Sequence, residues 1–176
     1  MKEVIGIYCG VSSINWDENT VRKEGIGGSE TWAWEISSEF QSMGYHVIIF
    51  CQTFNWHFAD DGVEYVPYTM YKRRILYQKF DYFIFSRDVS MLDHDLICDK
   101  VYIMAHDMTI KNAGRRDELK LDRVRKIAVL SPWHKNNMKA VYGISDDKMF
   151  MTFNGVDMSY YSKFGEGMIT RDTKQN

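Results

Sequence analysis

The stretch Gly25-Ile26-Gly27-Gly28-Ser29-Glu30 is the part of this sequence best suited to holding a ligand. Glycines let the backbone approach a bound group closely, and free N–H groups at a helix start carry partial positive charge. That combination favours an anion, with Gly27 and Gly28 nearest the helix start. The dinucleotide fingerprint GxGxxG does not fit, because the spacing is GxGG and no acidic residue ends the second strand, where Cys51-Gln52 stand. No Gly-Lys-Ser/Thr follows, which excludes a P-loop. A flexible connector that uses glycine for its turns is the plainer reading of the same residues. Glu30 brings a negative charge near the proposed anion position, and is expected to complement the helix dipole while facing away.

Other residues also carry chemistry. Ser86-Arg87-Asp88 follows an apolar run, which puts Arg87 at the carboxyl edge of a strand. Arg87 suits contact with a hydroxyl, phosphate or carboxylate of an acceptor, or an ion pair with Asp88 or a neighbour. Asp93-His94-Asp95 is a D-x-D in a loop without a metal-site context and reads as a solvated acidic turn. No metal and no resident cofactor are expected. His57 lies in the aromatic stretch Phe54 to Phe58, read as a loop that stacks sugars or covers a sheet edge. Basic residues dominate Lys111 to Lys126, and a smaller cluster is Tyr71-Lys72-Arg73-Arg74. These suit an anionic acceptor, a membrane surface or simply solvent. Nothing resembles a nucleophilic triad, since Ser131 precedes Pro132 and has the place of a helix cap.

Apolar runs that read as buried strands occur at Val4 to Cys9, Val47 to Cys51, Tyr82 to Phe85, Val101 to Ala105 and Ile127 to Leu130. Val63 to Val66, before Pro67, reads as an edge strand, and Met149 to Phe153 as a last one. Continuous rather than alternating apolar runs indicate a parallel sheet covered on both faces. Helices fit between them. Ser29 to Met43 carries Ala33, Ile36, Phe40 and Met43 at helical spacing, with Gly44 as its stop. Ser131 to Tyr142 is bounded by a serine cap and Gly143, and Met70 to Lys79 reads as a short helix. The alternation predicts an α/β fold, a single Rossmann-like, doubly wound, mainly parallel sheet.

With 176 residues, 45% of them hydrophobic and 26% charged, the chain suits one globular domain. A net charge of −2 gives no global attraction to nucleic acid, and no recognised nucleic-acid module is present. Cys9, Cys51 and Cys98 form no CxxC and read as free thiols in a reducing compartment. No signal-like segment opens the sequence, and no apolar run reaches the length of a membrane span, so the expected location is cytoplasmic, with peripheral membrane contact open.

Three segments together resemble the N-terminal domain of retaining GT-B glycosyltransferases of glycosyltransferase family 4. They are Gly27-Gly28-Ser29-Glu30-Thr31-Trp32 with the following helix and Gly44-Tyr45-His46-Val47, then Leu130-Ser131-Pro132-Trp133-His134-Lys135 with Tyr142-Gly143-Ile144, then Asn154-Gly155-Val156-Asp157. The resemblance covers about residues 4 to 161. It implies a domain over 1–161 that binds a glycan or lipid-linked acceptor, with 162–176 a polar linker or tail. It also implies that Gly27 and Gly28 supply amides to the diphosphate of a nucleotide-sugar donor. His106, at the carboxyl end of a middle strand, takes the place next to the transferred sugar, and Arg87 and Asn154 face the acceptor or cleft. The second domain of that family is absent from this sequence. The chain by itself is therefore expected to have little or no transferase activity and to need the missing C-terminal domain or a partner subunit. The alternative is a non-catalytic Rossmann-like module. An exposed apolar face beside Asn154 to Tyr161 favours the first reading, and a closed polar surface there favours the second.

Overall fold

The computed structural model describes residues 2–92, 95–113 and 121–155. The boundary near 161, the tail 162–176, Arg115, Arg116 and Lys120 of the basic run, and Asp93 and His94 lie outside the described residues. Eight strands form one sheet: β1 (Val4–Tyr8), β2 (His46–Cys51), β3 (His57–Phe58), β4 (Glu64–Pro67), β5 (Tyr82–Ser86), β6 (Val101–Met104), β7 (Val124–Val129) and β8 (Met149–Met151). Their order is β3-β4-β2-β1-β5-β6-β7-β8. Every neighbouring pair is parallel except β3 with β4. This is the doubly wound α/β architecture that the apolar runs predict.

Among the described residues, four α-helices accompany the sheet: α1 (Glu18–Glu24), α2 (Gly28–Ser42), α3 (Tyr71–Arg74) and α4 (Pro132–Tyr142). Ser131 caps α4 by accepting from the His134 amide, and Gly143 closes it in the left-handed conformation. From β1 the chain winds outward in both directions, so right-handed crossovers put α2 on one face and α4 on the other. On the face of α3 and α4, Tyr8, Phe50, Phe83, Phe85 and Ile103 of the sheet cluster with Tyr71 and Met138 of the helices, while Ile5, Ile7, Val47, Ile49 and Tyr65 pack toward Trp16 and Ala33 on the α2 face. Gly6 is required in β1 because the Phe83 ring lies across it. A β-carbon there would stand 2.3 Å from Phe83 Cε2.

Several expectations need correction. Helix α1 lies between β1 and α2, where the sequence pattern places no helix. Asp17 caps this helix by accepting from the Asn19 and Thr20 amides. Val63 to Val66 does not form the edge, since β3 pairs on the outer side of β4. Met70 to Lys79 is helical only over Tyr71–Arg74, after a 3-10 turn at Tyr68–Met70. Its Arg74 bonds Glu64, which is fully buried in β4, at 2.8 Å. The tether leaves Leu76 and Tyr77 outside the core, both exposed.

Met43 also leaves the apolar face assigned to it and is 67% exposed. The stripe of α2 is aimed sideways as well as down. Ile36, Phe40 and Met43 line an apolar groove of about 430 Å³ together with Ile84, Met104 and Phe150 of the sheet. On this face the half of the sheet beyond β1 has no helix above it among the described residues. No helix among the described residues is long and apolar enough to cross a membrane.

Candidate functional site

In an open parallel sheet, ligands bind outside the carboxyl ends of the strands, where the winding reverses. Here the reversal lies between β1 and β5, which are neighbours although α1, α2, β2, β3, β4 and α3 lie between them in the chain. The loops leaving these two strands enclose a cleft of about 560 Å³, lined by Val11 to Ile14, Trp16, Gly25, Ile26, Gly27, Glu30, Arg87 and Lys111. Two residues singled out from the sequence, Gly27 and Arg87, therefore meet in one cavity. Gly28 is the first residue of α2 and is exposed.

Arg87 is held in an unusual conformation. Its φ is +66°, in the left-handed region that side-chain-bearing residues rarely occupy. Its amide donates to the Met104 carbonyl at 3.0 Å and its own carbonyl accepts from the Lys111 amide at 2.8 Å, which fixes the turn. The guanidinium reaches back over the cleft, with Nη1 donating to Ser29 Oγ at 3.0 Å and Nε standing 3.0 Å from Asp107 Oδ2. The ion pair left open by the sequence is thus made with Asp107, not with Asp88. Asp88 is buried and instead ties the loops together. Its Oδ1 accepts from the Ser90 amide at 2.8 Å and Asn112 Nδ2 at 2.9 Å, while Lys111 Nζ lies 3.7 Å from Oδ2.

Glu30 does not face away. Its carboxylate turns back over the loop and accepts from Ser29 Oγ at 2.8 Å. A β-carbon on Gly27 would lie 2.5 Å from Glu30 Oε2. The Glu30 carboxylate therefore adds a negative charge to the cleft wall beside Gly27 without capping α2, whose Glu30 and Thr31 amides donate to the Gly27 carbonyl.

His106 follows β6 by two residues and does not line the cleft itself. Its Nε2 lies 3.2 Å from Ser86 Oγ, and its ring meets Trp32 edge-on with centroids 5.1 Å apart. Burial lowers its pKa to about 4, which outweighs the neighbouring Asp107 carboxylate, and the Arg87 charge adds to the lowering. The ring is therefore neutral at physiological pH, a hydrogen-bonding group rather than a charge. His134, on α4, also presents a buried Nε2 without a hydrogen-bond partner, while its Nδ1 accepts from the Leu130 amide at 3.2 Å.

Asn154 is exposed beyond β8 and takes no part in the cleft. The residues just before it, Phe150, Met151 and Phe153, are apolar and exposed. Of the basic clusters, Lys111 enters the cleft, Arg123 is spent on the Leu92 and Leu96 carbonyls, and Arg74 is committed to Glu64 and the Trp56 ring. The sequence reading missed Asp107 and Ser86, whose roles arise only from tertiary contacts.

No protein-family model matches the chain, and no curated protein matches it. The class is set by fold and geometry: a doubly wound α/β protein with a polar cleft at its topological switch point.

Proposed function

We propose that the chain is the acceptor-binding, N-terminal half of a glycosyltransferase that moves a sugar from a nucleotide-sugar donor with retention. The observation that carries this reading is the cleft at the switch point, where the glycine loop and Arg87 converge. In this reading the Gly27–Gly28 backbone, Arg87 and Lys111 face the donor diphosphate, and neutral His106 stands beside the transferred sugar. The opposite wall, with the remaining groups that stabilise the leaving phosphate, comes from a second domain or subunit. Exposed Phe150, Met151 and Phe153 support this reading over a self-sufficient binding module. The acceptor is a glycan or lipid-linked sugar, with contact at a cytoplasmic membrane face.

The test is titration of the chain with inorganic pyrophosphate and a panel of nucleoside diphosphates, followed by amide chemical shifts. Shifts are expected at Gly27, Gly28 and Arg87. Arg87→Gly suits the left-handed backbone at this position, so it isolates loss of the guanidinium. A charge-assisted hydrogen bond contributes roughly 1.5–3 kcal/mol, so affinity should fall about tenfold or more. Glu30→Gln should tighten binding, because it removes a negative charge from the cleft lining. Absence of binding at millimolar ligand, or shifts confined to residues outside the cleft, would overturn the assignment.

A further inference from the structure

Apart from Arg87 and its neighbours, the first turn of α1 and the edge strand β3 bring three metal-ligating side chains together. Asp17 uses Oδ1 for capping, accepting from the Asn19 and Thr20 amides at 3.0 Å each. Its Oδ2 is left 3.8 Å from His57 Nε2. Glu18, which is buried, is divided in the same way: Oε1 accepts from Asn19 Nδ2 at 3.3 Å, and Oε2 lies 3.3 Å from His57 Nε2. On the other side of the imidazole, Nδ1 lies 3.1 Å from the Asn55 carbonyl oxygen. A carbonyl only accepts, so a hydrogen resides on Nδ1, and Nε2 is turned toward both carboxylates. The three ligand atoms lie within 4.8 Å of one another.

Two carboxylate oxygens and an imidazole lone pair aimed at one point repel unless a positive charge sits among them. That charge is a proton on Nε2 or a metal ion, and two features fit the metal. In each ligand the other polar atom is held by a second partner, the arrangement that orients ligands around an ion. A tetrahedral zinc with bonds of about 2.0–2.1 Å also sets its ligand atoms about 3.3 Å apart. The His57–Glu18 separation of 3.3 Å meets that spacing, and Asp17, at 3.8 Å from His57, needs only a small side-chain turn.

Tyr65 provides an independent indication. It is fully buried, and its hydroxyl has no hydrogen-bond partner. Its ring stacks on His57 at 5.2 Å and 7°. We propose that Asp17, Glu18 and His57 bind a zinc-class divalent cation, with a water in the remaining position that also partners the Tyr65 hydroxyl. One imidazole and two carboxylates are a donor set that suits zinc and its late first-row neighbours. The ion clamps the start of α1 to the edge hairpin. Because α1 ends at Gly25 and Trp16 lines the cleft, the clamp braces the loop that forms the cleft wall. This inference is independent of the glycosyltransferase reading.

The experiment uses the full chain, stripped with chelator and titrated with zinc chloride by calorimetry and thermal melting, with cobalt(II) absorption as a spectroscopic readout. The expected result is one tight equivalent, a raised melting temperature and a cobalt ligand-field band. Glu18→Gln keeps the side-chain shape and should weaken zinc binding at least tenfold, remove the melting shift and alter the band. His57→Gln should do the same. If zinc fails to bind at micromolar concentration, or binds and stabilises Glu18→Gln as well as the parent, the proposal is wrong and the three side chains share only a proton.

Discussion

Acidification should reveal His106 as a source of pH-dependent stability. In the unfolded chain its imidazole titrates near about 6.5, and in the folded protein at about 4. Above the unfolded value the ring is neutral in both states and has no effect. As pH falls between the two values, the unfolded chain accepts a proton that the folded protein refuses, so stability falls. Below the folded value both states are protonated and the loss stops. The gap corresponds to about 3 kcal/mol if burial were complete. Part of the ring reaches solvent, so about 2 kcal/mol is expected. The assay is urea unfolding followed by tryptophan fluorescence across this pH range, comparing the parent chain with His106→Gln. Glutamine keeps a hydrogen-bonding group toward Ser86 but does not titrate. The parent should lose about 2 kcal/mol more than the variant on going from neutrality to the folded-state value. Identical pH dependence in the two proteins, or an imidazole titration by NMR near the unfolded value, would refute the reasoning.

Two further outcomes follow from buried contacts. Arg74→Ala removes the 2.8 Å partner of the fully buried Glu64 carboxylate and leaves only His46 beside it, at 3.1 Å. The urea midpoint should drop by an amount equivalent to about 3 kcal/mol, and Arg74→Ala combined with Glu64→Leu should recover much of it. Gly6→Ala drives a methyl into the Phe83 ring and toward Phe80, 2.9 Å away, so stability should fall by about 2–3 kcal/mol in the same assay without any change in ligand binding.

The elements legible in the sequence were those whose stability comes from continuous burial or a local cap. Ile7, Ile48, Ile49, Phe83, Val101 and Ile127 are buried in the sheet, and that leaves unbroken apolar runs. Ser131 and Gly143 mark the ends of α4 by their own backbone chemistry. Short elements were not legible. Helix α1 has seven residues, too few for a period to register, and only the Asp17 cap announces it. Strand β3 has two residues and depends on pairing with β4. Pro67 suggested an edge, but it stands at the last position of β4, where a missing amide is tolerated. In the cleft, residue type and strand-end position pointed to Gly27 and Arg87. The partner of Arg87 could not be read in this way, because Asp88 is adjacent in sequence while Asp107 is adjacent in space. The same limit hid the Asp17–Glu18–His57 cluster, which joins residues 39 apart.

The cleft and the apolar groove share a structural element, so they are not energetically independent. Helix α2 begins at the cleft with Gly28 and carries Trp32 one turn later. Trp32 lines the groove and its ring is edge-on to His106, which in turn touches Ser86 and stands next to Asp107, the partner of Arg87. Anything that covers the groove removes water from around Trp32 and deepens the desolvation that already keeps His106 uncharged. Anything that brings negative charge to Arg87 favours a proton on the same imidazole. The two effects oppose one another at a single ring, and their balance sets whether His106 offers a neutral hydrogen bond or a positive charge. Near neutrality the uncharged form is the one that this packing stabilises, and covering the groove strengthens that choice.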